Sequence, residues 1–226
     1  MNPADDQVLL DPTEVRVLGA LVEKAITTPD YYPLSLNALV NACNQSSNRD
    51  PIVDYGEPSV LRALEDLRNK KLVFVFEGAT SRVVKYGQRF ADLLGLSPAE
   101  TAALCVLMLR GPQTTGEIRG RSGRLHEFAG LDEVESTLQN LATRSPQPLV
   151  ARLPRQPGFK ESRYAHLLSG PPGAALREAA PEGRAATAPG PPDDDRVALM
   201  TQEVEELRRE LAELKTQFAD FKKQLE

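Results

Sequence analysis

The sequence predicts a mainly α-helical protein of the α+β class, with two similar halves and a separate helical tail. Three observations point there. A capped amphipathic helix start occurs twice, at residues 10–21 and 96–107. After each group of helices the chain switches to β-branched and aromatic residues, as short strands do. Near residue 169 the composition changes abruptly.

Each helix start has the same construction. LDPTEVRVLGAL begins with Asp11, Pro12 and Glu14, and LSPAETAALCVL with Ser97, Pro98 and Glu100. Asp11 and Ser97 are cap residues that accept from orphan backbone N–H groups. The prolines suit the first helical position, where no donor is needed. The glutamates complete a capping box and favour the positive helix end. Val15, Leu18, Leu21, Val22 and Ile26 form the apolar stripe of the first helix, and Leu104, Leu107 and Met108 echo it.

The halves then run in parallel. Residues 35–45 read as a second helix capped by Ser35, and residues 57–72 as a third with Val60, Leu64 and Leu67 inside. Residues 72–86 read as two strands turning near Glu77–Thr80. In the second half, residues 114–125 take the place of the second helix and residues 132–144 that of the third, with Val134, Leu138 and Leu141 at matching spacing. Residues 148–168 supply two strands around Pro157-Gly158. Three helices and a hairpin, occurring twice, describe tandem winged-helix domains. The expected boundaries are 1–90 and 91–168, then a linker over 169–194 and a helix over 195–226.

The linker contains 6 Pro, 4 Gly and 7 Ala in 26 residues, with nothing to form a buried face. In the tail, Val197, Met200, Val204, Leu207, Leu211, Leu214, Phe218, Phe221 and Leu225 alternate in steps of three and four. That is an a/d coiled-coil seam. Glu203 and Glu210 at g positions oppose Arg208 and Lys215 at e positions, which favours a parallel partner in register. A helix folded back on the body is the other reading. The unbroken period and the long linker favour a homo-oligomer.

Composition narrows the function classes. The 226 residues are 41% hydrophobic and 26% charged, as in an ordinary globular protein. No stretch approaches the run of about 20 apolar residues that spans a bilayer. MNPADDQVLL lacks the basic start and apolar core of a secretory signal, so a cytoplasmic protein is expected. Cys43 and Cys105 lie in apolar surroundings and read as buried free thiols. With His126 and His166 they match no metal-ligand spacing. Phosphate-loop and nucleophile-elbow motifs are absent, so neither catalysis nor a cofactor is expected.

The body also resembles a known family. EKAITTPDYYPLSLNALVNACNQSSNRDP (residues 23–51), RVVKYGQRF (82–90), LMLRGPQTTGEIRGR (107–121) and LPRQPGFKESRYAHLL (153–168) are similar to stretches of the bacterial YceH family. The resemblance covers residues 10–168. It implies a body of two winged helices with a variable, often helical tail. It implies no activity, because the family has none established, and it supplies no catalytic residues. Ser46 stands where the family more often carries a basic residue, which weakens any phosphate-binding role for that loop.

Winged helices commonly bind DNA through the third helix and the wing. Phosphate contacts need Lys and Arg. The first third-helix carries Arg62, Arg68, Lys70 and Lys71 against Glu57, Glu65 and Asp66. The second carries Arg144 against Asp132, Glu133 and Glu135, a poor groove reader. Arg82, Lys85 and Arg89 lie on or after the first hairpin. Arg152, Arg155, Lys160 and Arg163 lie on the second, and Arg119, Arg121 and Arg124 in the second helix of the second half. Arg49 is the candidate in the loop ACNQSSNRDP, although turn residues commonly bond their own backbone. Of Tyr31 and Tyr32, one ring is expected to pack on the domain edge. The chain has 27 basic and 32 acidic residues, a net charge of −5, so no domain has the strong positive balance of a nucleic-acid coat. DNA binding by a self-associated regulator is therefore one expectation. A scaffold that binds a protein partner without touching DNA is the other.

Overall fold

A computed structural model describes residues 9–77, 83–155 and 161–171. They form an α+β body in one compact unit. The predicted caps are present. Asp11 accepts from the Glu14 N–H at 2.8 Å, and Glu14 accepts in return from the Asp11 N–H at 2.7 Å. Ser97 and Glu100 repeat this exchange, as do Thr114 and Glu117.

In chain order the first half comprises α1 (Pro12–Thr27), a 3-10 turn (Pro29–Tyr31), β1 (Leu34–Ser35), α2 (Leu36–Cys43), α3 (Glu57–Asn69), β2 (Val73–Phe76) and β3 (Lys85–Gln88). A short helix, α4 (Phe90–Leu94), leads into the second half. There follow α5 (Pro98–Arg110), α6 (Thr115–Ser122), α7 (Leu131–Ala142), β4 (Val150–Arg152) and β5 (Tyr164–His166). The strands form an antiparallel sheet in the order β1-β3-β2 and a second antiparallel pair, β4-β5. Gln113 bridges to Tyr164 on the edge of that pair, reducing the counterpart of β1 to a single residue.

The predicted apolar positions of the third helices are all buried: Val60, Leu64 and Leu67 in α3, and Val134, Leu138 and Leu141 in α7. Leu104, Leu107 and Met108 are buried as well, whereas Ile26 is 36% exposed at the end of α1. One continuous core joins the halves, because α1 packs on α2 and α3 and also on α5. That position explains why α1 buries residues around its whole circumference, from Glu14 to Glu23. Gly19 permits the crossing: a Cβ there would stand 3.0 Å from Leu109 Cδ2 and 3.1 Å from Met108 Cβ. The Cys105 thiol lies 3.6 Å from the Gly19 carbonyl. Aligned on Leu10 and Leu96, Gly19 and Cys105 are equivalent positions in the repeat, so the repeat meets itself at this crossing.

Two further details position the surfaces. Gly87 in β3 lies under the Phe74 ring, which a Cβ would overlap. The Arg89 guanidinium stacks on that ring at 5.6 Å. Tyr32 is the ring that packs: its hydroxyl accepts from the Gln88 N–H, and burial pushes its phenol up to about 12. Tyr31 is 78% exposed.

Candidate functional site

Residues 44–56, between α2 and α3, carried the first candidate, Arg49. There the guanidinium is buried and its donors are engaged. It binds both Glu23 carboxylate oxygens, at 3.0 and 2.6 Å, and donates to the Ala42 carbonyl at 2.8 Å. It also donates to the Asn48 carbonyl and the Gln45 amide oxygen. A buried guanidinium with its donors spent on protein acceptors has none to offer a phosphate. Burial would push the Glu23 carboxyl up, but the hydrogen bonds and charge of Arg49, aided by Lys24, outweigh it and hold the carboxyl below its ordinary value. Arg16 staples the same loop from α1, donating to the Cys43 and Pro51 carbonyls at 3.1 and 2.6 Å. Burial and the nearby charge of Arg49 lower its pKa. The loop is thus tied to α1 by two buried arginines, and Ser46 is exposed at its tip.

Helix α3 has two faces. Val60, Ala63, Leu64 and Leu67 enter the core, while Arg62, Glu65, Arg68 and Asn69 face solvent. No ion pair engages Arg62 or Arg68 among the described residues. Lys70 is committed elsewhere: its ammonium binds Glu14 at 2.7 Å and the Leu9 carbonyl at 2.9 Å, tying the end of α3 to the start of α1. Lys85 is half-buried in β3, opposite Phe76. Arg82 lies outside the described residues.

The second half differs. The solvent face of α7 carries Asp132 and Glu135, while Glu133 caps the helix start by accepting from the Ala129 N–H at 2.7 Å and contacting His126 at 3.1 Å. Arg144 donates to the Leu94 carbonyl. On the second hairpin, Arg152 and Arg155 are exposed. Arg163 binds the Pro112 carbonyl at 2.8 Å and Glu117 at 3.2 Å, so it is a structural tie. Lys160 lies outside the described residues.

The three α6-region arginines separate. Arg121 and Arg124 line an open cleft of about 250 Å³, whereas Arg119 does not. Lys24, from the last turn of α1, and Arg110, from the end of α5, complete its basic lining. Neither was foreseen as a site residue. The internal repeat holds the missed signal: aligned on Leu10 and Leu96, Lys24 and Arg110 are equivalent positions. Glu23 is the acid in the lining, and Arg49 already occupies both its oxygens. Asn48 accepts from Arg110 at 3.2 Å, and the Asp50 N–H donates to the Leu109 carbonyl at 2.9 Å, so the stapled loop forms one wall.

Among the described residues no group of three or more His, Cys, Asp or Glu side chains is placed to hold a metal ion. No helix among them is long and apolar enough to cross a membrane. Cys43 and Cys105 are buried and unpaired, and burial pushes the Cys43 thiol up to about 12. The tail positions from Val197 to Leu225 lie outside the described residues.

Residues 10–159 match the model of a family described as "Protein of unknown function, DUF480". A "UPF0502 protein" of Opitutus terrae is 58% identical over 208 residues, covering 91% of this chain and 87% of that protein. One from Citrifermentans bemidjiense is 54% identical over 198 residues, covering 88% and 89%. One from Pelobacter propionicus is 49% identical over 225 residues, covering 97% and 100%.

Proposed function

The chain belongs to the DUF480 family, and from that premise we propose that it is a non-enzymatic, cytoplasmic tandem winged-helix protein that binds duplex DNA through its first half. The observation that carries this reading is the solvent face of α3, where Arg62 and Arg68 form no ion pair among the described residues. The order of three helices and a hairpin supports it, since a winged helix places its third helix in the major groove and its hairpin against the backbone. The acidic α7 repels phosphate, so the second half contributes through exposed cations outside that helix, among them Arg152 and Arg155. The tail's heptads support self-association, which would double the phosphate contacts through effective concentration.

A second reading has its own support. Phe76 and Val84, at the ends of the first hairpin strands, are 49% and 38% exposed. Exposed apolar side chains on the first hairpin, together with an acidic face on α7, suit a scaffold that docks a protein partner.

Binding of the full chain to mixed duplex fragments at about 50 and 200 mM salt separates the two. DNA binding through α3 requires affinity that falls steeply with salt. R62A/R68A should bind more weakly and reduce the salt slope by about 2, because each phosphate contact contributes roughly 0.9 to it. Absence of binding at the lower salt, or an R62A/R68A variant that binds like the parent, rejects this reading in favour of the scaffold. Sedimentation of L207P/L211P against the parent tests the tail, and an unchanged mass rejects the coiled coil.

A further inference from the structure

We propose that the cleft between the two halves is a binding site for a small phosphorylated molecule. Four cations converge there from different parts of the chain: Lys24 from α1, Arg110 from α5, and Arg121 and Arg124 from α6 and the residues after it. The opposing charge is small. Glu23 serves Arg49 through both oxygens and lies 3.5 Å from Lys24. Glu117 lies 3.7 Å from Arg121 but is shared with Arg163 at 3.2 Å. Arg124 has no ion-pair partner among the described residues. The Arg110 Nε is buried and has no hydrogen-bond acceptor among them, although its NH1 holds Asn48.

A concave wall of mutually repelling cations favours an anion strongly, because each cation gains Coulomb energy from the same guest and is only partly screened in a recess. The guanidinium fork matches the oxygens of a phosphate, and three such forks exceed what one carboxylate would use. A volume of about 250 Å³ falls just below the usual range of small-molecule pockets, about 300 to 1,000 Å³. It is too small for a helix or a duplex backbone and large enough for a phosphate on a short organic body. Val106 and Leu109 offer that body an apolar floor. Because the wall comprises α1, the 44–56 loop, α5 and α6, the guest would clamp both halves. This site is separate from the α3 face and does not depend on DNA binding.

The test is isothermal titration and thermal unfolding of the full chain with inorganic phosphate, ribose 5-phosphate and ribose, at constant ionic strength set with chloride. Phosphate and ribose 5-phosphate should bind and raise the Tm, and ribose should do neither. R121A/R124A removes two exposed side chains without touching the core and should weaken binding at least about tenfold. R62A/R68A should leave it unchanged. The proposal is overturned if neither phosphate-bearing probe binds. It is also overturned if R121A/R124A binds them as tightly as the parent does, or if R62A/R68A abolishes the binding.

Discussion

Arg49 and Glu23 form a buried, two-pronged ion pair that ties the α2–α3 loop to the end of α1, with contacts of 3.0 and 2.6 Å. The Arg49 side chain is 0% exposed and that of Glu23 is 11% exposed. Arg49→Ala strands a buried carboxylate and also orphans the Ala42 and Asn48 carbonyls. Removing one partner of such a pair typically costs about 3 to 5 kcal/mol. Glu23→Gln keeps one acceptor and leaves Arg49 bonded to the two carbonyls and Gln45, so it should cost less. Urea unfolding of the parent and both variants checks the order, and an Arg49→Ala variant as stable as the parent would show the pair to be dispensable.

Gly19 and Gly120 should respond to alanine with opposite signs. Both lie within helices, where replacing Gly with Ala gains about 0.5 to 1 kcal/mol when space allows. A Cβ at Gly120 meets nothing within 4 Å, so Gly120→Ala should stabilise by that amount. At Gly19 the new carbon would stand 3.1 Å from both Leu109 Cγ and Met108 Cβ, atoms held close to the α5 backbone. Overpacking of a dense core costs about 1 to 3 kcal/mol, which exceeds the helical gain. Gly19→Ala should therefore lower the Tm, and Gly19→Val should lower it further. A rise in Tm for Gly19→Ala would show that the α1–α5 crossing can part without penalty.

The local elements were legible because their signals are local. Asp11, Pro12 and Glu14 announce a helix start within four residues, and Ser97, Pro98 and Glu100 announce another. The spacing of Val60, Leu64 and Leu67 marks a buried face without reference to the rest of the chain. Helix α4 escaped because Phe90–Leu94 is too short to show a period. The ion pair of Arg49 was not legible in the turn that carries it, because its partner, Glu23, lies 26 positions away. The cleft was out of reach for the same reason. Its cations come from α1, α5 and the α6 region, and nothing in any single stretch shows that they meet. The repeat was the available clue, since it aligns Lys24 with Arg110.

Acid should weaken the fold in two separable steps. His166 lies in β5 paired with Val150, and burial pushes its imidazole down to about 4 from an ordinary 6.5. Between those values the unfolded chain takes up a proton that the folded chain refuses, so stability falls as pH drops from 6.5 towards 4. Glu23 is a carboxylate held below its ordinary 4.5. Its contribution is fully present above 4.5 and is lost as pH falls through its lower, folded value. His166→Gln, which cannot take up that proton, should flatten the stability profile above pH 4 while leaving the steeper loss below it. Arg49→Ala should do the reverse, reducing the loss below pH 4.5, because the carboxylate no longer gains from being charged. Urea midpoints across pH 3 to 7.5 distinguish these outcomes, and a His166→Gln profile that parallels the parent between pH 6.5 and 4 would show that the imidazole does not stay neutral in the fold.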